Sequence, residues 1–498
     1  MSENPNLSLL MDLRPCFEGY AGIPQEARLL FSMFGRLGLR RLGGFVSGTH
    51  YTHRHNPSDT VFGTLFAQTR AVIAQDTNRQ NFPIPLNFLP LAIRRRIFKP
   101  WMVLSEAFRT EKLNLRLNPQ QFEDYLWTRL FEKTLPPEER AMMQHPEYYM
   151  AELGHEYARS LSLMPRFAQR VIRSEEWDIF FGVSVTPYRV APTSATIVRY
   201  YDALPLLSPH TIGGPWLHAL THARLLSRNM VDGANFVCDS EPVRQDLLRL
   251  FPEREAQVRT IPVTVSPTLF PDLRPEVQVR KILDRRRSLV TSSRVEPARA
   301  PLPKLFMAVS TLEPRKNYLN LFRAFELAKS MARTPIQLVV VANKGWRSDL
   351  ELAELRRLTK EGVFHLAGVP ADELRVLYSA VHAVVAPSRA EGFDYSGAES
   401  MACGTPVIAS DIPVHRWVYG DAADYFDPYS PEALARLIAD YADLPRDTGH
   451  LAEQSGRGRR EVRRYYADTL TPVWEQTLLD VTHPSARTRT PSAPAMTS

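Results

Sequence analysis

The 498-residue sequence predicts an α/β protein of two domains, each built on a doubly wound parallel sheet and facing the other across a cleft. Three observations carry that expectation. Short β-branched runs alternate with helical patterns through residues 305–410, the first half repeats the alternation with more interruption, and a proline- and arginine-rich stretch divides the two. Strands that read as continuous apolar runs, joined through single helices, belong to a parallel sheet covered on both faces. Two such domains place their ligand edges opposite each other, because open parallel sheets bind beyond the carboxyl ends of their strands.

In the first part, residues 1–270, SLLMDLRP reads as an opening strand and GIPQEARLLFSMF as a helix. ATIVRYYDALP and GANFVCDS are further strands, and Ser240 is placed to cap a helix beginning at Glu241-Pro242. Residues from about 50 to 165 read as an insertion, partly helical. Residues 271–303 have linker composition, dense in proline and arginine with short apolar patches. Residues 304–480 then give strands at LFMAVST, QLVVVAN, VFHLAGV, HAVVAPS and PVIAS, with helices from about Asn317, from Asp349, after Pro370 and near Ala398. The last residues, 481–498, carry too little apolar surface to offset ordering entropy and are expected to be disordered.

Composition narrows the class. With 44% apolar and 23% charged residues the chain has room for two or three cores. No run approaches the ~18 apolar residues of a membrane span, and the opening residues lack the order of a signal peptide, so a cytoplasmic protein is expected. Cys16, Cys238 and Cys403 are too scattered for a disulfide framework or a zinc knuckle. Basic residues exceed acidic ones by eight over residues 1–300, while the rest is nearly balanced. That excess fits an anionic partner or an ordinary solvated surface. No helix-turn-helix or RNA-binding signature accompanies it, so nucleic acid is not expected as a partner.

The segment EGFDYSGAESMACGTPVIASDIP (391–413) is the most informative. Glu391 follows a strand, Gly392 can accept a close backbone approach, and a helix begins near Ser396, aiming unpaired N–H groups at a phosphate. Glu399 falls about one turn inside that helix, where its carboxylate can accept from sugar hydroxyls. In STLEPRKN (310–317), Arg315 and Lys316 follow a strand of the same sheet and supply charge for a diphosphate. Phosphate-seeking and hydroxyl-seeking groups at one sheet edge suit a nucleotide sugar.

These motifs, with the lysine-glycine-tryptophan of ANKGW (342–346) and the LYSAVHAVVAPSRAEGF run, resemble retaining glycosyltransferases of family four, which have the GT-B fold. The resemblance spans about 305–445. It implies that Arg315 and Lys316 bind the donor diphosphate, that Glu399 holds the ribose hydroxyls and that Glu391 contacts the transferred sugar. It also implies that Gly392 and Phe393 offer backbone donors, and that Gly22, in YAGIPQEARLLF, lies close to the phosphates with Lys344 as a further neighbour. Asp202 stands in the first part where the family has a His-Asp pair facing the acceptor, but Tyr201 replaces the histidine. Asp394 and Ser396 stand where the family has a glycine and then a proline. Asp394 is read as bonding the loop in preference to selecting a sugar hydroxyl, Trp346 as core, and His415 as a candidate by proximity alone.

The expected activity is thus retaining, metal-independent transfer of a hexose from a UDP- or GDP-sugar to a saccharide or lipid-linked acceptor in cell-surface polysaccharide synthesis. No cofactor is expected. The alternative is a silent sugar-nucleotide-binding subunit of a polysaccharide assembly complex. LAIRRRIFKPW (91–101) joins a cationic cluster to apolar residues, as a peripheral helix on the inner membrane face would; a buried helix with a basic edge fits equally.

Overall fold

The structure, a computed structural model, describes residues 6–20, 22–47, 60–77, 115–151, 155–164, 169, 171–213, 215–288 and 302–482. The first sheet contains β1 (Ser8–Asp12), β2 (Arg41–Ser47), β3 (Leu115–Leu117), β4 (Glu147–Ala151), β5 (Ile179–Gly182), β6 (Ala195–Tyr200), β7 (Asn235–Cys238) and β8 (Val258–Thr260). Their order is β8-β7-β6-β5-β1-β2-β4-β3, parallel throughout except for the β3–β4 edge pair. The second sheet contains β9 (Lys304–Val309), β10 (Ile336–Val341), β11 (Phe364–Leu366), β12 (Ala383–Ala386), β13 (Val407–Ser410) and β14 (Ala423–Phe426). Its order is β11-β10-β9-β12-β13-β14, all parallel.

The helices that matter for the site are α1 (Ile23–Gly35), α2 (Glu241–Leu250), α3 (Glu276–Arg285), α4 (Tyr318–Met331), α5 (Asp349–Thr359), α6 (Ala371–Ala380), α7 (Tyr395–Ala402), α8 (Pro413–Tyr419) and α9 (Ala467–Thr482). The apolar runs that define the second-sheet strands are buried on both faces, in two separate clusters, as a doubly covered sheet requires. In that sheet the strand order reverses between β9 and β12, which opens a crevice beyond their carboxyl ends. The segments 310–317 and 387–394 follow those two strands, so topology alone brings STLEPRKN and AEGFD together.

Three boundaries differ from the sequence expectation. The stretch expected as an insertion supplies β4, which pairs with β2 inside the first sheet, and Trp127, Leu130 and Phe131, which are buried in the first core. The expected linker contains α3, whose Val279, Ile282 and Leu283 sit on one face in the second core; arginine and proline density hid that helical spacing. The expected second domain ends early, because α9 crosses back and buries Leu470, Trp474, Leu478 and Val481 against the first lobe. The 91–101 cluster and residues 483–498 lie outside the described residues. No helix among the described residues is long and apolar enough to cross a membrane.

Trp474 is fully buried, edge-on to Phe34 and Phe181 with ring centroids 5.6 Å away in each case. Trp474→Ala should therefore lower the unfolding free energy of the first lobe by about 3–5 kcal/mol, read by urea denaturation. A loss below about 1 kcal/mol would mean that α9 is not part of that core.

Candidate functional site

The turn after β9 is held in place by Asn317. This residue adopts a left-handed conformation (φ 61°), and its Nδ2 donates to the carbonyls of Pro387 at 3.0 Å and Pro428 at 2.8 Å. The Arg389 amide donates to the Arg315 carbonyl at 2.8 Å, so the two post-strand segments are stitched side by side. Arg315 and Lys316 consequently converge on Glu391. Arg315 Nη1 lies 2.6 Å from Glu391 Oε2, Lys316 Nζ lies 2.5 Å from Oε1, and Ser388 Oγ donates to Oε1 at 2.6 Å.

Burial alone would raise the Glu391 carboxyl, but the two cations hold it below the ordinary range. Burial would likewise lower Arg315, and the Glu391, Glu313 and Asp202 carboxylates raise it instead, so it stays charged. Asp202 belongs to this group from the other lobe. Burial raises its carboxyl, Arg315 opposes the rise, and its Oδ1 accepts from the Leu204 amide at 3.0 Å. Glu391, Arg315, Lys316 and Asp202 thus form one charge cluster between the lobes.

Residues 391–394 are all buried. The amides of Gly392, Phe393 and Asp394 donate to no described residue. Three consecutive buried N–H groups without an acceptor are rare in a folded protein. Asp394 is the N-cap of α7, accepting from the Ser396 amide at 3.0 Å and its hydroxyl at 2.6 Å, and His415 Nε2 lies 3.4 Å from its other oxygen. Burial would raise the Asp394 carboxyl, yet these neighbours and Lys316 pull it far down. The loop-bonding reading of Asp394 matches this geometry. His415 is fully buried, with Nδ1 3.0 Å from both the Ser410 hydroxyl and carbonyl, and it braces the loop from behind. The Phe393 ring packs against Tyr395, Trp417 and Tyr465, leaving only its backbone for a ligand.

Glu399 lies in α7 and faces the first lobe. Gln25 Nε2, from α1, donates to its Oε1 at 2.9 Å, and Tyr378 donates to Oε2 at 3.1 Å. Burial pushes its carboxyl up to about 7 despite those two donors. It lines a cavity of about 170 Å³ between the lobes. On one side are the ends of β9, β10 and β11, including Thr311, Asn343 and Gly368; on the other are Tyr20, Gln25, Lys133 and Thr134. Gly22, at the N-cap of α1, has φ +71° with open space where a Cβ would be.

Other residues singled out in the sequence fall elsewhere. The Lys344 ammonium pairs with Asp349 at the surface, 3.2 Å away, and does not line the cavity. Trp346, expected in the core, is 46% exposed and lies against Gly213 of the first lobe, because its loop bridges the lobes instead of entering a sheet. The Tyr201 side chain turns inward, 5.7 Å from Arg199, while its carbonyl packs on Gly392. Gln25, Tyr378 and Asn317 carry no local mark, since each acts by a hydrogen bond across a long sequence separation, and Ser388, although only three residues before Glu391, is an ordinary loop serine in the sequence. Lys133 and Thr134 escaped notice because they sit in the apparent insertion.

Residues 291–458 match the family model described as glycosyl transferases group 1. The chain is 35% identical over 131 residues to O-antigen chain mannosyltransferase B of Escherichia coli, covering 26% of this chain and 34% of that one. It is 33% identical over 141 residues to O-antigen chain mannosyltransferase RfbU of Salmonella typhimurium, covering 28% and 39%. The matched stretches thus span little more than a third of those relatives' own length. Sucrose-phosphate synthase from Thermosynechococcus elongatus superposes with a TM-score of 0.54 at 17% identity, covering 95% of this chain and 98% of that one. The Anabaena protein HepE, solved in complex with UDP, does so with 0.52 at 15% identity, covering 95% and 99%. The chain has the GT-B fold, and residues 291–458 of its second lobe are similar to the group 1 glycosyl transferases.

Proposed function

We propose that this chain transfers a hexose from a nucleotide sugar to a saccharide or lipid-linked acceptor, with retention of anomeric configuration and without a metal ion. The observation that carries the reading is the run of three unpaired buried amides at Gly392, Phe393 and Asp394 beside Arg315 and Lys316. Fixed N–H groups at a helix start, next to two cations, suit a diphosphate whose negative charge grows as the sugar leaves. The nucleoside would occupy the interlobe cavity, with its ribose hydroxyls donating to Glu399.

In this reading the sugar lies toward Glu391 and Asp202, and the acceptor approaches from the first lobe. The acceptor oxygen bonds to the anomeric carbon, the bond from that carbon to the phosphate oxygen breaks, and the acceptor proton passes to the departing phosphate. Arg315, Lys316 and the amides stabilise the leaving diphosphate, which is the role a metal ion would otherwise fill. The relatives named as O-antigen mannosyltransferases support mannose as the hexose and surface polysaccharide as the product class.

The direct test is release of nucleoside diphosphate from UDP- and GDP-sugars with a saccharide acceptor. Arg315→Ala or Lys316→Ala should lower kcat by about 100-fold or more, the usual cost of losing one group aimed at developing charge. Full activity in both variants would remove these residues from the chemistry.

Turnover should persist after EDTA treatment of the purified protein. A strict requirement for added manganese would contradict the charge-stabilising role given to the two cations.

Binding should depend on pH through Glu399. A carboxylate is the better acceptor for ribose hydroxyls, so with its carboxyl at about 7, affinity for a nucleotide sugar should rise by about tenfold between pH 6 and 8. The diphosphate diester does not titrate in that window. Glu399→Gln should flatten the profile, as read by calorimetry. The sign for folding is opposite: a raised carboxyl favours the folded state below its ordinary value of 4.5 and loses that contribution as pH climbs through 7.

A further inference from the structure

We propose that Ser240 is a positioning residue, which ties closure of the two lobes to the direction of the Phe393 N–H. The inference rests on the transfer reading above, in which that N–H meets the donor diphosphate. Ser240 follows β7 in the first lobe, is fully buried, and its Oγ donates to the Gly392 carbonyl of the second lobe at 2.7 Å. The same oxygen accepts from the Val243 amide at 3.4 Å, which caps α2. One hydroxyl therefore uses its proton across the interface and a lone pair within its own lobe.

The consequence follows from peptide geometry. Gly392 C=O and Phe393 N–H belong to one planar trans unit and point in opposite directions. A carbonyl pinned toward the first lobe turns the Phe393 N–H away from it, into the second-lobe side of the crevice. Without Ser240 the carbonyl loses the one side-chain donor it has among the described residues, and rotation of that peptide is resisted by packing.

Two neighbours show that the contact is closely set. A Cβ built on Gly392 would lie 1.7 Å from the Tyr201 carbonyl oxygen and 3.1 Å from Asp239 Oδ2, so the first lobe presses on this peptide from one face. Ser240 is itself held firmly, because Arg199 donates to the carbonyls of Val237 and Cys238 just before it. Closure thus delivers a rigid donor to the peptide that precedes the phosphate-facing amide.

Ser240→Ala, Ser240→Gly and Ser240→Thr separate this role from helix capping. Glycine caps nearly as well as serine, alanine does not, and threonine keeps both the cap and the donor. Donor affinity should change by less than about threefold in all three, while kcat should fall by about tenfold or more in the alanine and glycine variants and stay near wild type in the threonine variant. In hydrogen exchange with UDP or GDP, protection of the 391–396 amides should drop several-fold in alanine and glycine but not in threonine.

Equal protection in all four proteins would overturn the proposal whether or not the chain transfers sugar. So would kcat that tracks capping, with glycine near wild type and alanine alone impaired. Wild-type protein that shows the Ser240-dependent protection yet releases no nucleoside diphosphate from any donor would sink the transfer reading and leave the positioning role standing.

Discussion

The interface between the lobes depends on one buried cation. Arg199 is fully buried in β6, donates through Nε and Nη2 to Glu26 Oε1 of α1 at 3.0 and 2.5 Å, and through Nη1 to the carbonyls of Val237, Cys238 and Ile261. The guanidinium also lies 5.6 Å from the Trp474 ring of α9. It therefore fastens two neighbouring strand ends, the first helix and the returning last helix to one point. Four described first-lobe residues that meet the 391–399 segment are anchored there: Gln25 through α1, Tyr201 through β6, and Asp239 and Ser240 through β7. A buried pair of this kind adds little net stability, whereas removing one partner leaves a stranded charge and costs about 3–5 kcal/mol. Its contribution is geometric, holding three separate loops in register against the other lobe.

The charge site follows a different economy. Arg315 and Lys316 already face carboxylates from Glu391, Glu313 and Asp202, so the side chains alone present no surplus of positive charge. What distinguishes the crevice is the set of unpaired amides, whose dipoles need no counter-ion and no rearrangement. Glu391 then holds the two cations at fixed distance from those amides, keeping long side chains from scattering into solvent. For the proposed transfer, such preorganisation is worth more than added charge, because donors fixed in a dry site meet a developing anion without reorganising.

The second lobe was largely legible because its signals are local. Continuous apolar strands, single intervening helices and the order of STLEPRKN before AEGFD give the sheet, the reversal between β9 and β12, and hence the meeting of Arg315, Lys316 and Glu391. Glu399 was legible for the same reason, being fixed within one helix. The first lobe was harder to read. β4 is written as EYYMA inside a stretch rich in charge and proline, and the apolar face of α3 is diluted by arginine. Residues that act across the interface carried no local mark at all: Gln25 meets Glu399 from 374 residues away, and Ser240 looked like a cap because it is one.

The two glycines that stood out in the sequence show how one residue type can answer different demands. Gly22 has open space around its missing Cβ, but its φ of +71° is strained for any L side chain, so backbone conformation alone requires glycine there. Gly392 has no positive φ, and its requirement is spatial. The Tyr201 carbonyl occupies the place of a Cβ, so even alanine would hold the lobes apart before any ligand entered. A glycine beside a phosphate site is usually explained by the approach of the phosphate. At Gly392 the approach of the other lobe suffices, and the same peptide that admits that lobe offers its following N–H to the crevice. In the proposed transfer reading, lobe contact and anion binding thus meet at a single planar unit, and neither can be altered there without the other.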